Sequence, residues 1–202
     1  MSIGIIDYGA GNLHSVKNAV ENLGFHPQLI RQPDDFPGLT HLILPGVGSF
    51  GDSMQEIQSR HLADPIRQWI ESDRPFFGIC VGYQLLFTSG EESPGITGLD
   101  VFPGVVKKFP NDGRKIPHMG WNAAQPTTPN DPIWQNLASP PYFYFVHSYY
   151  PQPEDASLVA MTTDYEDHSF PSAIRRGALV ATQFHPEKSQ QAGLQLLQNF
   201  LA

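Results

Sequence analysis

The sequence predicts an α/β fold with a doubly wound, mainly parallel sheet flanked by helices and with antiparallel strands added in the C-terminal half. Four apolar runs in the first 80 residues are continuous rather than alternating, which is typical of strands covered on both faces. Segments with helical periodicity separate these runs, and alternating strands and helices indicate parallel pairing. From about residue 101 the apolar runs shorten between recurrent Pro and Gly, which favours antiparallel hairpins.

The first half supplies the parallel strands and the helices between them. The run "SIGIID" is the first strand and ends at the turn signal "YGAGN"; the helix that follows has Asn12 as its N-cap and Gly24 just after its end. "HPQLI", "HLILP" and "PFFGIC" predict the next three strands. Between the last two of these, "SMQEIQSRHLADPIRQWIES" supplies helical crossover structure.

The second half supplies the antiparallel strands and a closing helix. Its predicted strands lie in "VFPGVVKKFP", "YFYFVHSYY", "SLVAMTT" and "FPSAIRRGALVATQF". The chain closes with "SQQAGLQLLQNFLA", a helix with Ser189 as its cap and leucines along one side. No linker separates the two halves, so we expect one domain over residues 1–202.

Composition and charge exclude several classes of protein. The 202 residues are 40% hydrophobic and 16% charged, and the net charge of −8 comes without a basic cluster, so we expect no nucleic-acid partner. No segment approaches the roughly 20 apolar residues of a membrane span, and we expect no membrane association. A single cysteine cannot form an internal disulfide, which favours a cytoplasmic protein. The sequence also has no metal-ligand spacing and no dinucleotide or phosphate loop, so we expect no metal and no cofactor.

The only cysteine, Cys80, lies in a pattern typical of a nucleophile elbow. In "GICVGYQLLF" a strand delivers Cys80 to a turn, and Gly78 and Gly82 remove side chains that would clash where the strand and helix pack. The helix predicted over "VGYQLLF" aims its N-terminus at the sulfur, which favours the thiolate. A free cysteine is more often a small buried hydrophobe, but glycines on both sides favour a nucleophile.

A thiolate nucleophile needs a base, and the base needs an orienting group. Of the eight histidines, His185 is distinguished by "FHPEKS", in which Glu187 follows two residues later. In an extended segment residues i and i+2 point the same way, so the two side chains can share a face. The carboxylate would set the imidazole tautomer and leave the other nitrogen to face Cys80. We therefore predict a Cys–His–Glu triad and prefer His185 to His147 as the base.

These motifs together resemble a known family. "GICVGYQ", "FHPEKS" and "LPGVGSFGD" resemble the class I (triad-type) glutamine amidotransferases, and "IPHMGWN", "YFYFVHSYY" and "PGVGSFGDSM" resemble, within them, the glutaminase subunits of imidazole glycerol phosphate synthase from histidine biosynthesis. The resemblance covers essentially the whole chain. One departure is Tyr83, where the family more often carries methionine; Val81 in place of leucine is milder. The bulkier Tyr83 is expected to alter the glutamine pocket or its packing without removing a catalytic group.

The resemblance implies an activity and the residues that carry it. The triad would hydrolyse L-glutamine to L-glutamate and ammonia. An oxyanion hole would use the backbone N–H of Val81 and a second donor around Val47 or Gly48, after a peptide flip that glycine tolerates. The residues that would bind L-glutamine are Gln84 and the backbone near Ser148 and Tyr149.

The resemblance also implies a partner. Ammonia would pass directly to a (β/α)₈-barrel cyclase subunit, the heterodimer partner, which makes imidazole glycerol phosphate and aminoimidazole carboxamide ribotide. The segment from His118 to Asn122 would shape the site and the partner face, with His147 as a structural or substrate-side residue. The residues that match the family's interface positions are Asn12, Tyr144 and Lys188.

Other interpretations share the same nucleophile. A glutaminase subunit that serves anthranilate or aminodeoxychorismate synthesis would carry the same triad, and only the subunit-specific segments and the absence of a fused synthetase argue against it. A Cys–His hydrolase on the same scaffold would cleave a chromogenic peptide. A catalytically inactive binding module is disfavoured because Cys80, His185 and Glu187 are all present.

Overall fold

The computed structural model describes residues 1–9 and 12–202, and its first four strands form the parallel half of the main sheet, as predicted. Their bounds are β1 (Ile3–Ile6), β2 (Gln28–Ile30), β3 (His41–Leu44) and β4 (Phe76–Ile79). β1 pairs in parallel with β2 and β3, and β3 pairs in parallel with β4. The turn predicted at "YGAGN" includes residues 10 and 11, which lie outside the described residues.

Five α-helices accompany these strands in the described part of the chain. Their bounds are α1 (Leu13–Asn22), α2 (Phe50–Ser59), α3 (Ala63–Glu71), α4 (Val81–Gln84) and α5 (Gln190–Leu201). The crossover segment between β3 and β4 is helical, as predicted, and forms two helices that each bury an apolar side, with Ile57 on α2 and Ile66 on α3 fully buried. None of the helices that the structure describes has the length and apolar character needed to cross a membrane.

The chain beyond Cys80 adds nine strands to the described structure. Their bounds are β5 (Phe87–Gly90), β6 (Phe102–Lys108), β7 (His118–Ala123), β8 (Gln125–Pro126), β9 (Tyr142–His147), β10 (Tyr149–Pro153), β11 (Val159–Tyr165), β12 (His168–Arg176) and β13 (Leu179–Thr182). The main sheet has the order β2-β1-β3-β4-β13-β12-β11-β8, and β10-β6-β5 and β7-β9 form two small sheets. The predicted antiparallel additions are therefore confirmed, from β12 to β8 in the main sheet and in the β7-β9 ribbon.

One strand of the second half returns to the centre of the main sheet. β13 pairs in parallel with β4, with Thr182 opposite Ile79, and antiparallel with β12 on its other side. Because parallel neighbours end at the same edge of a sheet, the residues that follow β4 and β13 meet there. The carboxyl edge of a parallel sheet is the usual place for a ligand site in such folds.

Buried apolar side chains from both halves belong to one hydrophobic cluster. It includes Ile5 and Phe77 from the first half and Phe143 and Val180 from the second, all at most 2% exposed. A shared core of this kind favours the single domain expected from the sequence.

Candidate active site

Cys80 occupies a sharp turn between β4, which ends at Ile79, and α4, which begins at Val81. Its backbone has φ of 54° and ψ of −108°, a conformation that side-chain-bearing residues seldom adopt and that concentrates at functional sites. The flanking glycines are required by close packing. A Cβ atom on Gly82 would lie 2.0 Å from the carbonyl oxygen of Leu44, and one on Gly78 would lie 3.0 Å from the carbonyl oxygen of Gly82.

The Gly82→Ala variant is expected to lose about 3 kcal/mol of unfolding free energy, because a backbone oxygen cannot move aside as a side chain can. Urea denaturation followed by circular dichroism measures the loss. The control is Gly24→Ala, where φ is +87° but no atom lies within 4 Å of the added carbon, and this change costs about 1 kcal/mol. Equal losses in the two variants would contradict the packing argument.

The helix after Cys80 is shorter than predicted. α4 covers only Val81–Gln84, and by Phe87 the chain has entered β5, so the helix expected over "VGYQLLF" is wrong beyond its first turn. A single turn carries a small dipole, since the dipole sums over aligned peptides. A thiolate at Cys80 would therefore need most of its stabilisation from the surrounding side chains.

Tyr83, the departure from the family pattern, points into the core. It is fully buried, and its ring meets that of Phe87 edge to face at a centroid distance of 5.6 Å. Of the two effects expected from its bulk, the structure therefore favours altered core packing.

His185 and Glu187 are in direct contact just beyond β13. The Nδ1 atom of His185 lies 2.8 Å from Oε1 of Glu187, and both side chains are at most 1% exposed. The reason differs from the one predicted. β13 ends at Thr182, and Pro186–Lys188 form a 3₁₀ turn, so a helical turn and not extended alternation brings the carboxylate back to the ring.

The electrostatic surroundings of His185 hold a proton on its ring. Burial by itself lowers the pKa of His185, but the negative charges of the Cys80 sulfur and the Glu187 carboxylate outweigh it and raise the pKa to about 10. Within the described chain the Nε2 atom has no hydrogen-bond partner, and it is therefore available for proton transfer.

His147, the other histidine in the site, has both ring nitrogens engaged. Its Nδ1 lies 2.8 Å from the carbonyl oxygen of Tyr149, and its Nε2 lies 3.0 Å from Nδ1 of His118. Because a carbonyl only accepts, Nδ1 of His147 carries the hydrogen and Nε2 accepts from His118. Burial lowers the pKa of His147 to about 3, so its ring is neutral. These contacts favour His185 over His147 as the base.

A cavity of about 330 Å³ opens beside Cys80. This volume is at the lower end of the range for small-molecule sites. Glu187 lies behind His185, and the other predicted catalytic, oxyanion and substrate residues line the cavity: Val47, Gly48, Cys80, Val81, Gln84, Ser148, Tyr149 and His185.

Two further residues of the site escaped the sequence analysis. Glu92 lines the cavity, and its Oε2 accepts a hydrogen bond of 2.8 Å from the backbone N–H of Phe50. Gln183 is fully buried, and its amide nitrogen lies 3.6 Å from Cys80 Sγ. Gln183 could have been predicted as a site residue, because it lies two residues before His185 at the end of a strand. No sequence feature of "EESPG" indicates that Glu92 lies in the site.

The two predicted oxyanion donors are not both available in this conformation. The Val81 N–H points at the carbonyl oxygen of Gly46, 3.4 Å away. In a trans peptide the C=O and N–H groups point in opposite directions, so the Val47 N–H, in the same peptide, points away from Val81. Rotation of this one peptide would replace the Gly46 oxygen with the Val47 N–H. This geometry favours Val47 over Gly48 as the second donor.

The three predicted interface residues surround the turn that carries His185 and Glu187. Asn12 is at the N-cap position of α1, but its amide nitrogen donates to Oε1 of Glu187 at 3.0 Å. The backbone carbonyl of Tyr144 accepts from the His185 N–H at 2.9 Å, and Lys188 is exposed.

Ser189, predicted as the cap of the closing helix, has a different use. It does precede α5, but its hydroxyl donates to the His185 carbonyl at 2.6 Å and accepts from the Tyr144 N–H at 2.9 Å. The predicted capping bond is therefore wrong, and Ser189 ties the turn to β9.

Comparison with known proteins identifies the family. The family model described as "Glutamine amidotransferase class-I" matches residues 4–202. The chain therefore belongs to the class I glutamine amidotransferases. Two solved structures share the fold: a glutamine amidotransferase with a TM-score of 0.73 and 21% identity over 99% of both chains, and the PurLQS of Thermotoga maritima with a TM-score of 0.75 and 19% identity over 99% of this chain and 97% of that one.

Closer sequence relatives narrow the class. The imidazole glycerol phosphate synthase subunit HisH of Syntrophotalea carbinolica is 48% identical, with 97% of each chain covered. The protein of the same name from Thermosynechococcus vestitus is 47% identical, with 100% of this chain and 96% of the relative covered. Within the class, the chain falls among these HisH subunits.

Proposed function

We propose that this chain is the glutaminase subunit of an imidazole glycerol phosphate synthase and hydrolyses L-glutamine to L-glutamate and ammonia. The observation that carries the proposal is the placement of Cys80 on a strained elbow beside a cavity that His185 also lines, with His185 bound to Glu187 at 2.8 Å. The names of the HisH relatives support it. A biosynthetic role of this kind also favours the cytoplasmic location expected from the sequence.

The proposed reaction proceeds through a thioester. The Cys80 thiolate attacks the side-chain amide carbon of glutamine, and the carbonyl oxygen becomes an oxyanion. His185 gives its proton to the departing amine, so that ammonia leaves and Cys80 holds the acyl group. Water then attacks the thioester while His185 takes a proton from it, and glutamate departs as the thiolate is restored. Glu187 stabilises the imidazolium and orients the ring throughout.

The oxyanion requires the peptide rotation inferred for the site. While the Gly46 oxygen faces the Val81 N–H, an oxyanion would meet one donor that is already engaged and one carbonyl dipole of the wrong sign. After rotation the Val47 N–H would join that of Val81. We therefore propose that the described conformation is the resting form and that the rotated peptide is the active one.

Substrate binding is assigned from the polar groups that remain unpaired at the cavity wall. The amide nitrogen of Gln84 donates to the Tyr149 carbonyl and to Oε1 of Gln183, each at 3.1 Å, so its own oxygen is left to accept from the substrate. Glu92 offers the negative charge that an α-ammonium group requires. The backbone near Ser148 and Tyr149 completes the proposed pocket.

A partner follows from the product. Ammonia released into water at neutral pH is protonated and loses its nucleophilicity, so a synthase gains from direct transfer. The relatives are named as subunits of a synthase. We propose the (β/α)₈-barrel cyclase as partner, with imidazole glycerol phosphate and aminoimidazole carboxamide ribotide as its products.

The surface that fits this partner is the outer face of the β7-β9 ribbon. Trp121 opposes Tyr144 across the ribbon, and Tyr142 opposes Ala123 on the same face. Met119, Trp121 and Tyr142 are 59%, 48% and 55% exposed. Large apolar side chains grouped on one exposed face typically mark a protein interface. The face adjoins the turn that bears His185, since the His185 N–H donates to Tyr144.

Glutamate release by the purified chain, alone and with a barrel-type cyclase plus its ribonucleotide ligand, tests this proposal. We expect weak release by the chain alone, because the resting peptide blocks the oxyanion hole, and stimulation of at least about 10²-fold by the liganded partner, comparable to the loss of one oxyanion donor. Strong glutamate release without the partner would support the glutaminase activity but contradict the proposal that the partner activates it.

The same assay assigns the interface. Lys188→Ala is expected to weaken partner affinity and stimulation while thermal unfolding stays unchanged, because its side chain is exposed on the turn that carries Glu187. The matched control is Lys17→Ala on α1, where the lysine lies 3.5 Å from Glu21 in an exposed ion pair. Wild-type affinity and stimulation in Lys188→Ala would remove this residue from the interface.

A further inference from the structure

We propose that Gln183 is a further catalytic residue, whose side-chain amide donates a hydrogen bond to Cys80 Sγ and holds the sulfur as a thiolate in position for attack. The inference deepens the proposed function and rests on it. Gln183 is fully buried, and its Nε2 atom lies 3.6 Å from the sulfur. A buried amide is costly unless its hydrogens find acceptors, and here one of them faces the nucleophile.

The orientation of the Gln183 amide follows from its neighbours. The Tyr149 carbonyl only accepts, so the Gln84 atom that lies 3.1 Å from it must be the amide nitrogen. The same nitrogen lies 3.1 Å from the side chain of Gln183, which must therefore present its oxygen there. The nitrogen of Gln183 is then left to face Cys80. The order of donors and acceptors thus excludes the flipped amide.

The surroundings hold this arrangement in place. The Tyr149 carbonyl accepts a second hydrogen bond, from His147 Nδ1 at 2.8 Å. This bond helps to fix the carbonyl in the orientation in which it accepts from Gln84. The backbone N–H of Gln183 donates to the Ser172 carbonyl at 2.8 Å and anchors the residue just beyond β13. The amide therefore reaches the sulfur from a rigid position and needs no rearrangement when charge develops there.

This contact acts at two stages of the reaction. A donor to sulfur favours the thiolate over the thiol, because hydrogen bonds to a charged acceptor are stronger than those to a neutral one. The same donor receives the thiolate when the thioester breaks. Because α4 is only a single turn, its dipole contributes little positive potential at Cys80. Gln183 and the His185 imidazolium supply most of it.

Alkylation of the full-length chain by iodoacetamide, measured from pH 6 to 9, tests the proposal without glutamine or a partner. Cys80 is the only thiol in the chain, so the rate reports on it alone. Gln183→Met keeps a similar volume and removes the donor, and we expect the rate at pH 7 to fall about tenfold and the profile to move to higher pH. Gln183→Glu keeps an acceptor for Gln84 but sets a carboxylate against the sulfur, and it should slow alkylation further.

Controls separate this effect from a loss of structure. Gln58→Met, at an exposed position on α2, should leave the alkylation profile unchanged. In the wild-type chain, the side-chain amide NMR signals of Gln183 should shift as the sulfur titrates, and Cys80→Ala should abolish that shift. This second readout requires no variant of Gln183 to fold.

The proposal would be overturned if folded Gln183→Met and Gln183→Glu had the alkylation profile of the wild type. It would also be overturned if the Gln183 amide signals did not shift as the sulfur titrates. If the wild-type chain released no glutamate even with the liganded partner, but Gln183→Met still shifted the alkylation profile, the glutaminase proposal would fail while the contact to the thiolate stood. The two failures are therefore distinguishable.

Discussion

Replacing Cys80 with alanine is expected to reduce glutamate release by at least about 10⁴-fold, because removal of a nucleophile leaves only binding and electrostatic effects. The fold should survive, since alanine keeps the Cβ atom and fills less of the cavity wall than cysteine. Release is measured with a glutamate dehydrogenase coupled assay, in the presence of the activating partner. Thermal unfolding within a few degrees of the wild type shows that the lost activity is chemical and not structural.

Cys80→Ser is the informative comparison. A serine hydroxyl has nearly the same shape but ionises far less readily than a thiol, so its activity should lie close to that of Cys80→Ala. Titration calorimetry with glutamine on both variants should still detect binding, because the proposed substrate groups on Gln84 and Glu92 are untouched. Glutamate release that survives in Cys80→Ala would reject the elbow as the catalytic centre.

Acid is expected to destabilise the chain steeply because two buried histidines are kept neutral by the fold. Burial lowers the pKa of His118 from 6.5 to about 4. It is also the largest of the effects that lower the pKa of His147 to about 3. At pH values between these lowered pKa values and 6.5, the two histidines are protonated in the unfolded chain but neutral in the folded chain. The free energy of unfolding therefore falls as pH drops from 6.5 through about 4, by up to about 1.4 kcal/mol per pH unit for each histidine.

Urea denaturation at pH 4.5, 5.5 and 6.5 measures this dependence. His118→Asn retains a donor for Nε2 of His147 and removes one titrating group, so its stability should vary less steeply with pH than that of the wild type. His26→Asn, an exposed position after α1, should leave the wild-type dependence intact. Parallel curves for the wild type and His118→Asn would show that this ring does not resist protonation.

The parallel half of the fold was accessible to sequence reasoning because its signals are local. Continuous β-branched and aromatic runs such as those at β3 and β4 are readable without knowledge of their neighbours. The elbow was also readable because its glycine pattern is local in sequence, although the contact that requires Gly82 comes from Leu44 on the neighbouring strand β3. The roles assigned to the elbow and its partners remain predictions.

The elements that escaped prediction depend on distant partners. "VGYQLLF" has helical propensity, but Phe87 pairs with Phe102 in a sheet, and tertiary pairing outweighs weak local preference. The turn at Pro186–Lys188 replaced the extended backbone expected around His185. Gln183 contacts Gln84 across 99 positions and Cys80 across 103, and no pattern within a short window reports contacts of that range.

The position of β13 has a consequence for the folding of the chain as the ribosome makes it. This strand is the last one in the chain, yet it lies between β4 and β12 in the middle of the main sheet. When β4 and Cys80 have emerged from the ribosome, β13 has not yet been made, and the sheet edge of β4 stays open until residue 182 has emerged. Non-local strand pairing of this kind delays closure of the core. We therefore expect Cys80 and His185 to come together only after the segment up to residue 185 has emerged, so that a shorter nascent chain would not release ammonia.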